Sequence, residues 1–335
     1  MPIPEVDKIW MNGSLVDWAE AKVHVLSHAL HYGSGVFEGI RAYETERGTA
    51  VFRHQDHLDR LRRSAELYYM DLPYTLEKLR EATHDLIRAN NLRSCYIRPI
   101  AFRGYGEMGL FPLNTPVEVV IAVWPWGAYL GEEGQRHGIR CQVASWRRMS
   151  PDSFIPQAKA SGQYLNSILA KVESAKAGYD EAIMLDHLGN VSEGSGENVF
   201  VVRDGVISTP PSSASILEGI TSRSVVQIAA DLGFKVVERD MARGELYQAD
   251  ELFLTGTAAE IVPVREIDDH PLGEPGEVTK AIQQCFFEAI QGKRDEYLEW
   301  LDFVDFGESE GSSSPNGTVT EADSPTGRGR TVASS

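Results

Sequence analysis

One lysine stands among small residues in QAKASGQYLN: Ala158 precedes Lys159, and Ala160, Ser161 and Gly162 follow it. A solvated lysine near a helix start would account for that composition. So would an amine that must carry something bulky, because lysine does covalent chemistry by condensing with carbonyl groups. A second group of interest is Glu193 in VSEGSGENVFVV, a carboxylate at a turn among glycines just before a strand-like run. Alone it reads as a solvated turn residue. Together, a lysine for an aldehyde and a distant carboxylate to keep a pyridine nitrogen protonated are the two protein groups that pyridoxal phosphate needs to act as an electron sink.

A phosphate needs oriented N–H donors, which helix N-termini supply. LEGITSRSVV places Gly219, Ile220 and Thr221 at the mouth of a helix, and FLTGTAAEIVPV places Gly256 and Thr257 between a strand and a turn of small residues. Each is a common cap by itself; with Lys159 and Glu193 they make four signals in one chain, stronger together than any one alone. Two other patterns point elsewhere. GYGEMG, residues 104–109, matches a dinucleotide fingerprint, but Pro112 and Pro116 follow where that fingerprint must open a helix. HALH (His28, His31) and HQDH (His54, His57) suggest metal, yet no cysteine or carboxylate completes a familiar ligand set, so hydrogen-bonded histidines are expected.

The elements that must position these groups read as a mixture of helix and strand. Apolar residues recur at helical spacing in residues 54–69 (Leu58, Leu61, Ala65, Tyr68) and 75–91 (Leu76, Leu79, Thr83, Leu86). Residues 161–178, 221–233 and 277–292 also read as helices, ending on glycines that suit a C-cap. Strands are expected at 94–102, 117–124, 139–146, 181–186, 198–202 and 251–255. They cluster more than strict βαβ alternation allows, which favours α+β over a doubly wound sheet. PWGAYLGEEGQRHG breaks the pattern and marks a linker at 127–134 between domains at 1–126 and 135–306.

The formal net charge of −17 argues against binding a phosphate backbone. Three well-separated cysteines give no disulfide framework and fit a reducing compartment. The N-terminus shows no apolar segment behind basic residues and no apolar run reaches spanning length, so a cytoplasmic location is expected. Residues 307–335 are rich in Ser, Gly, Thr and Pro and read as a disordered tail.

From about IWMNG to WLDFV the chain resembles the branched-chain amino-acid aminotransferases, within the class IV (fold type IV) pyridoxal-phosphate enzymes. The resemblance rests on HALHYGSGVFEGIRAY, YIRP, PWGAYLG, AKASGQYLNS, SEGSGENVF, LEGIT and GTAAEI, all in family order. It implies a smaller N-terminal α/β sandwich domain, a larger C-terminal pseudobarrel, and a homodimer or a hexamer of dimers. It also implies transamination between leucine, isoleucine or valine and 2-oxoglutarate. Lys159 would hold the cofactor and shuttle a proton, Glu193 would meet the pyridine nitrogen, and Tyr164 the phenolate oxygen. Arg60, Leu217, Gly219, Ile220, Thr221, Gly256 and Thr257 would form the rest of the cofactor site. Tyr96 and the Thr257–Ala258 amides would take the substrate α-carboxylate, and Arg98 the distal carboxylate of glutamate. Tyr32, Phe37, Gly39, Met108 and Tyr129 would complete the side-chain pocket, some from a second subunit. Many relatives carry Arg directly after Gly-Ile-Thr; here Ser222 intervenes before Arg223, which leaves that arginine's role open. D-amino-acid aminotransferases, (R)-amine transaminases and aminodeoxychorismate lyases use the same Lys and Glu, and a non-catalytic binding module is a further alternative; YIRP and GTAAE favour the branched-chain enzyme.

Overall fold

The computed structural model describes residues 3–127 and 131–307. Tyr129 and the tail from residue 308 therefore lie outside the described residues. Met1–Asp305 forms one compact unit.

Seven strands precede residue 127: β1 (Lys8–Met11), β2 (Ser14–Asp17), β3 (Gly35–Phe37), β4 (Ile40–Thr45), β5 (Gly48–Phe52), β6 (Cys95–Arg103) and β7 (Val117–Trp124). Ten follow: β8 (Ile139–Val143), β9 (Glu181–Leu185), β10 (Val191–Gly194), β11 (Asn198–Arg203), β12 (Val206–Thr209), β13 (Lys235–Glu238), β14 (Glu251–Gly256), β15 (Glu260–Ile267), β16 (His270–Pro271) and β17 (Leu301–Phe303). The helices are α1 (His28–Tyr32), α2 (His54–Leu67), α3 (Leu76–Ala89), α4 (Gly131–His137), α5 (Tyr164–Lys176), α6 (Ile220–Asp231), α7 (Arg243–Leu246) and α8 (Glu277–Ile290).

The first sheet runs β17-β5-β4-β6-β7-β1-β2, with β3 on β6. The second runs β10-β9-β8-β15-β14-β11-β12-β13, with β16 on β15. Strand β10 also pairs with β11, through Glu193↔Asn198, so β10, β9, β8, β15, β14 and β11 close into a ring. That ring is the pseudobarrel. Strands β8–β9, β8–β15 and β12–β13 are parallel, whereas the other pairings are antiparallel. Such a mixture fits α+β and not a doubly wound sheet.

Helices form at 54–67 and 76–89 as the periodicity requires, and they bury Leu58 and Leu61, and Leu79 and Leu86. Thr75 caps α3 by accepting from the Lys78 amide. Residues 161–163 form a short 3-10 turn before α5 begins at Tyr164, so the expected helix starts three residues late. The expected linker is partly helical, because α4 begins at Gly131. GYGEMG forms a loop with no helix after it. No helix among the described residues is long and apolar enough to cross a membrane.

Eleven of the seventeen strands among the described residues lie outside the six expected, and β17 is the most distant in sequence from its partner. Residues 301–303 return to the first sheet, where Leu301 pairs with Phe52 and Phe303 with Ala50. The reason is packing: Phe52, Phe200, Phe253, Phe286, Trp300 and Leu301 belong to one buried cluster fed by both sheets. Asp302 adds a charged fastening. Its carboxylate meets Arg80 in a forked ion pair, with His54 Nδ1 at 2.7 Å and His84 Nε2 at 3.0 Å. These histidines and Asp302 are the one metal-like grouping among the described residues, and the Arg80 cation already occupies the carboxylate.

Burial alone would raise the Asp302 pKa, but the bonds from Arg80, His54 and His84 hold it well below the usual carboxylate range. A depressed carboxylate stabilises the fold above the unfolded-state pKa and loses that contribution as pH falls through the folded one. Because the Arg80 side chain is half exposed, the pair is worth less than a fully buried one. Asp302→Ala should therefore destabilise the protein at pH 7 by about 2–4 kcal/mol. Urea unfolding should show the deficit narrowing only below about pH 4.

Candidate active site

Lys159 lies in an extended segment between Ala158 and the Val36↔Ala160 bridge, so its position is fixed from both sides by the backbone. Its amide donates to Ser64 Oγ on α2 at 3.0 Å, and its carbonyl accepts from the Phe37 amide at 3.0 Å. The side-chain amine donates to the Tyr164 hydroxyl at 2.8 Å. It also stands 5.2 Å from the centre of the Phe37 ring. The small neighbours follow from this: Ala158 and Ala160 are buried against the first sheet, leaving the lysine as the one long side chain that reaches the cleft from this segment.

Glu193 lies on β10 where the ring of strands closes, and only 5% of it is exposed. Its Oε1 faces Arg148 Nη2 at 2.5 Å, and its Oε2 accepts from the Leu217 amide at 3.0 Å. Burial pushes its carboxyl up from the ordinary value, and the Arg148 guanidinium draws it part of the way back. Burial, reinforced by Glu181, pushes nearby Glu197 up to about 8. At neutral pH the floor of the cleft therefore carries fewer negative charges than its carboxyls suggest.

The far wall offers hydrogen-bond donors. Gly219 precedes α6 and makes no side-chain cap bond, and among the described residues the Ile220 and Thr221 amides donate to no protein group. A Cβ at Gly219 would stand 2.0 Å from Asn198 Oδ1, so a side chain there would displace Asn198. Gly256 and Thr257 sit at the end of β14, and the Thr257 and Ala258 amides likewise donate to nothing among the described residues. Arg60 reaches the same cleft from α2. Its guanidinium forks onto Glu38, Nε–Oε1 at 2.6 Å and Nη2–Oε2 at 2.9 Å, and its Nη1 donates to the Glu218 carbonyl at 2.8 Å. Glu38 is fully buried; burial alone would raise its pKa, but the Arg60 charge and His57 hold it far below the ordinary range. His57, lowered by burial to about 4, is neutral and stands 2.7 Å from Glu38.

The cleft bounded by Arg60, Lys159, Tyr164, Glu193, Leu217, Gly219, Ile220, Thr221, Gly256 and Thr257 encloses about 730 Å³, its open mouth included. An amine, a buried carboxylate backed by a cation, a phenol and an uncapped helix end in one cleft fit a phosphorylated pyridine aldehyde. The amine would take the aldehyde and the carboxylate the ring nitrogen. The free amides and Arg60 would take the phosphate.

Beside Lys159, Phe37 packs on the Tyr164 ring at 4.8 Å and Arg98 stands 4.8 Å from the Phe37 ring centre. Tyr96 is buried between Trp124 and Trp126, each 5.1 Å away. Gly39 abuts it so closely that a Cβ would stand 2.0 Å from the Tyr96 hydroxyl. Arg98 Nη2 donates to that hydroxyl at 3.2 Å, and no carboxylate pairs with Arg98 among the described residues. Tyr32 and Met108, by contrast, are exposed and outside the cleft wall. Arg223 turns away as well: one residue later on α6 than in many relatives, it faces Asp56 at 3.8 Å. Arg148 and Trp124 join the site from outside the motifs quoted above, whereas Glu38, Asn198 and Trp126 lie within HALHYGSGVFEGIRAY, SEGSGENVF and PWGAYLG but carried no expected role.

The described fold is shared by known proteins. Residues 35–267 match the model of the family Amino-transferase class IV. A branched-chain-amino-acid aminotransferase of Salmonella typhimurium is 48% identical over 307 residues, covering 91% of this chain and 99% of that protein. The crystal structure of the Escherichia coli branched-chain amino acid aminotransferase superposes with a TM-score of 0.88 at 48% identity, covering 90% of this chain and all of that one. The branched-chain amino acid aminotransferase from Thermobaculum terrenum, in its PLP-bound holo-form, gives 0.84 at 36% identity, covering 90% of this chain and 99% of that one. The chain belongs to the class IV aminotransferases.

The buried fork from Glu38 holds Arg60 toward the cleft, so a neutral partner should loosen it. Glu38→Gln is expected to weaken pyridoxal phosphate binding about tenfold. Titration of the cofactor-free protein, followed by absorbance, measures this; an unchanged affinity would show that Arg60 keeps its place without the ion pair.

Proposed function

We propose that the protein is a pyridoxal-phosphate-dependent branched-chain amino-acid aminotransferase, exchanging the amino group of leucine, isoleucine or valine with 2-oxoglutarate. The observation that carries this reading is the meeting of Lys159, Tyr164 and Glu193 in one cleft, with Phe37 beside the amine and Arg98 against the Phe37 ring. When bound, the cofactor supplies an electron-withdrawing ring and an aldehyde that exchanges amino groups. Glu193, backed by Arg148, holds a proton at the ring nitrogen. Tyr164 directs the Lys159 amine by accepting its hydrogen bond. Once free, Lys159 moves the proton at the substrate α-carbon, as a positioned general base. The amides of Thr257 and Ala258, with Tyr96, receive the α-carboxylate.

The pocket must serve two side chains in turn. Phe37 and Tyr164 suit the aliphatic one. Arg98, buried at Nε and paired with no carboxylate among the described residues, suits the distal carboxylate of glutamate. A second copy of the chain would complete the wall. Val25, Leu30 and Tyr32 on one segment and Met108, Leu110 and Phe111 on another form one exposed apolar patch, linked by the Ser27↔Tyr105 bridge and the His28–Gly109 hydrogen bond. Patches of this kind mark interfaces, so a homodimer, or a hexamer of dimers, would bring Tyr32 and Met108 to the neighbouring site. Three free buried cysteines accord with work in the cytoplasm. A division at residues 127–134 into two domains accompanies this reading.

Borohydride treatment of the loaded protein should fix the cofactor to a peptide containing Lys159. Lys159→Ala should lower kcat by roughly three or more orders of magnitude while the fold survives, because the covalent and proton-transfer roles vanish together. Near-normal transamination by that variant would sink the assignment. Arg98→Ala separates the two half-reactions. Losing a charge-assisted fork should slow the glutamate half-reaction about tenfold to a hundredfold more than the leucine one. Single-turnover absorbance with each amino acid reads the difference; equal losses would make Arg98 a structural residue.

A further inference from the structure

We infer that Glu260 is a positioning residue for the turn that receives the substrate α-carboxylate, an assignment that rests on the functional reading above. Strands β14 and β15 form a hairpin in which Gly256 pairs with Glu260, leaving Thr257, Ala258 and Ala259 as the turn. The left-handed backbone conformation normally falls to glycine. Here it falls to Glu260, with φ of +60°. A side chain in that conformation persists only where its surroundings fix it.

The surroundings do so from three directions. Glu260 is buried, and its Oε1 accepts from the Tyr43 hydroxyl at 2.9 Å and faces Arg41 Nη1 at 3.0 Å. Its Oε2 accepts from Gln135 Nε2 at 2.8 Å. Tyr43 and Arg41 belong to β4 in the first sheet, and Gln135 to α4. Gln283 of α8 then holds both Gln135 and the strand after Glu260, donating to the Gln135 carbonyl at 3.1 Å and the Ile261 carbonyl at 2.9 Å. Arg41 pairs across the sheet with Tyr96, the side chain placed beside the α-carboxylate. One carboxylate thus ties the free Thr257 and Ala258 amides, at one end of the hairpin, to β4, the neighbour of the strand β6 that carries Tyr96 on the opposite side of the same subsite. Its own distance from the chemistry is kept: Glu260 holds the turn and need not touch the substrate.

Two variants of the loaded enzyme test this. Glu260→Gly removes every contact to the carboxylate yet accepts the backbone angle, so the turn is freed without strain. It should raise KM for leucine, and the Kd of 4-methylpentanoate (leucine's skeleton without the amine), about tenfold, with kcat within about threefold of the parent and the cofactor absorbance intact. Glu260→Gln keeps an oxygen for one donor and loses the charge facing Arg41, so its KM and Kd should fall between those of the parent and the glycine variant. Unchanged KM and Kd in Glu260→Gly would overturn the role. So would a parallel loss of kcat and cofactor, which would mark a general structural defect. If the parent itself neither turned over leucine nor bound 4-methylpentanoate, the functional reading would fall and this role with it.

Discussion

The closure of the second sheet on itself is the constraint from which the site follows. Strand β10 is four residues long and must pair with β9 on one edge and β11 on the other. Its pairing with β9 shifts register between Val191 and Gly194. Irregularities of this kind bend a strand and re-aim its side chains, and they recur beside active sites. Here the affected stretch contains Glu193. Closing the ring drives that carboxylate out of water, which is tolerable only because Arg148 and the Leu217 amide meet it.

The same arrangement recurs at the other end of the cleft with the sign reversed. There the group facing the cavity is a cation, Arg60, and the buried support behind it is the carboxylate of Glu38. Glu193 and Arg60 therefore each have an opposite charge beside them that fixes their direction. Lys159 and Tyr164 lie between the two pairs. Lys159 reaches that place from a segment bonded to both the first sheet and α2. The cleft is consequently a product of both sheets, and neither sheet alone presents a complete set of donors.

What the sequence discloses of this is uneven for identifiable reasons. The long amphipathic helices at 54–67 and 76–89 and the strand at 117–124 carry enough period to be read directly. The short strands β1 to β5, and β12, β13 and β16, are two to six residues long and give too little pattern to distinguish from turns. Strand β17 is hidden differently: its three residues mean nothing until the distant strand β5 is beside them. In the site, Lys159, Glu193, Gly219 and Thr257 sit in motifs with unusual local composition. Arg148, Glu38 and Glu260 matter through partners 19 to 217 positions away, a separation that no local window contains. Tyr32 and Met108 show the reverse case, residues that a motif names but that a single chain leaves on its surface.

The return of β17 to the first sheet also sets an order of events during synthesis. Strand β5 is made early, yet its outer edge is paired only by Leu301–Phe303, roughly 250 residues later; at about 5–20 residues per second the interval is about 12–50 seconds. For that time a strand of small and apolar residues, GTAVF, offers unpaired backbone groups to any other extended chain nearby. The nascent N-terminal half is thus a candidate client for chaperones at the ribosome, and its sheet cannot be finished cotranslationally until nearly the whole compact unit has emerged.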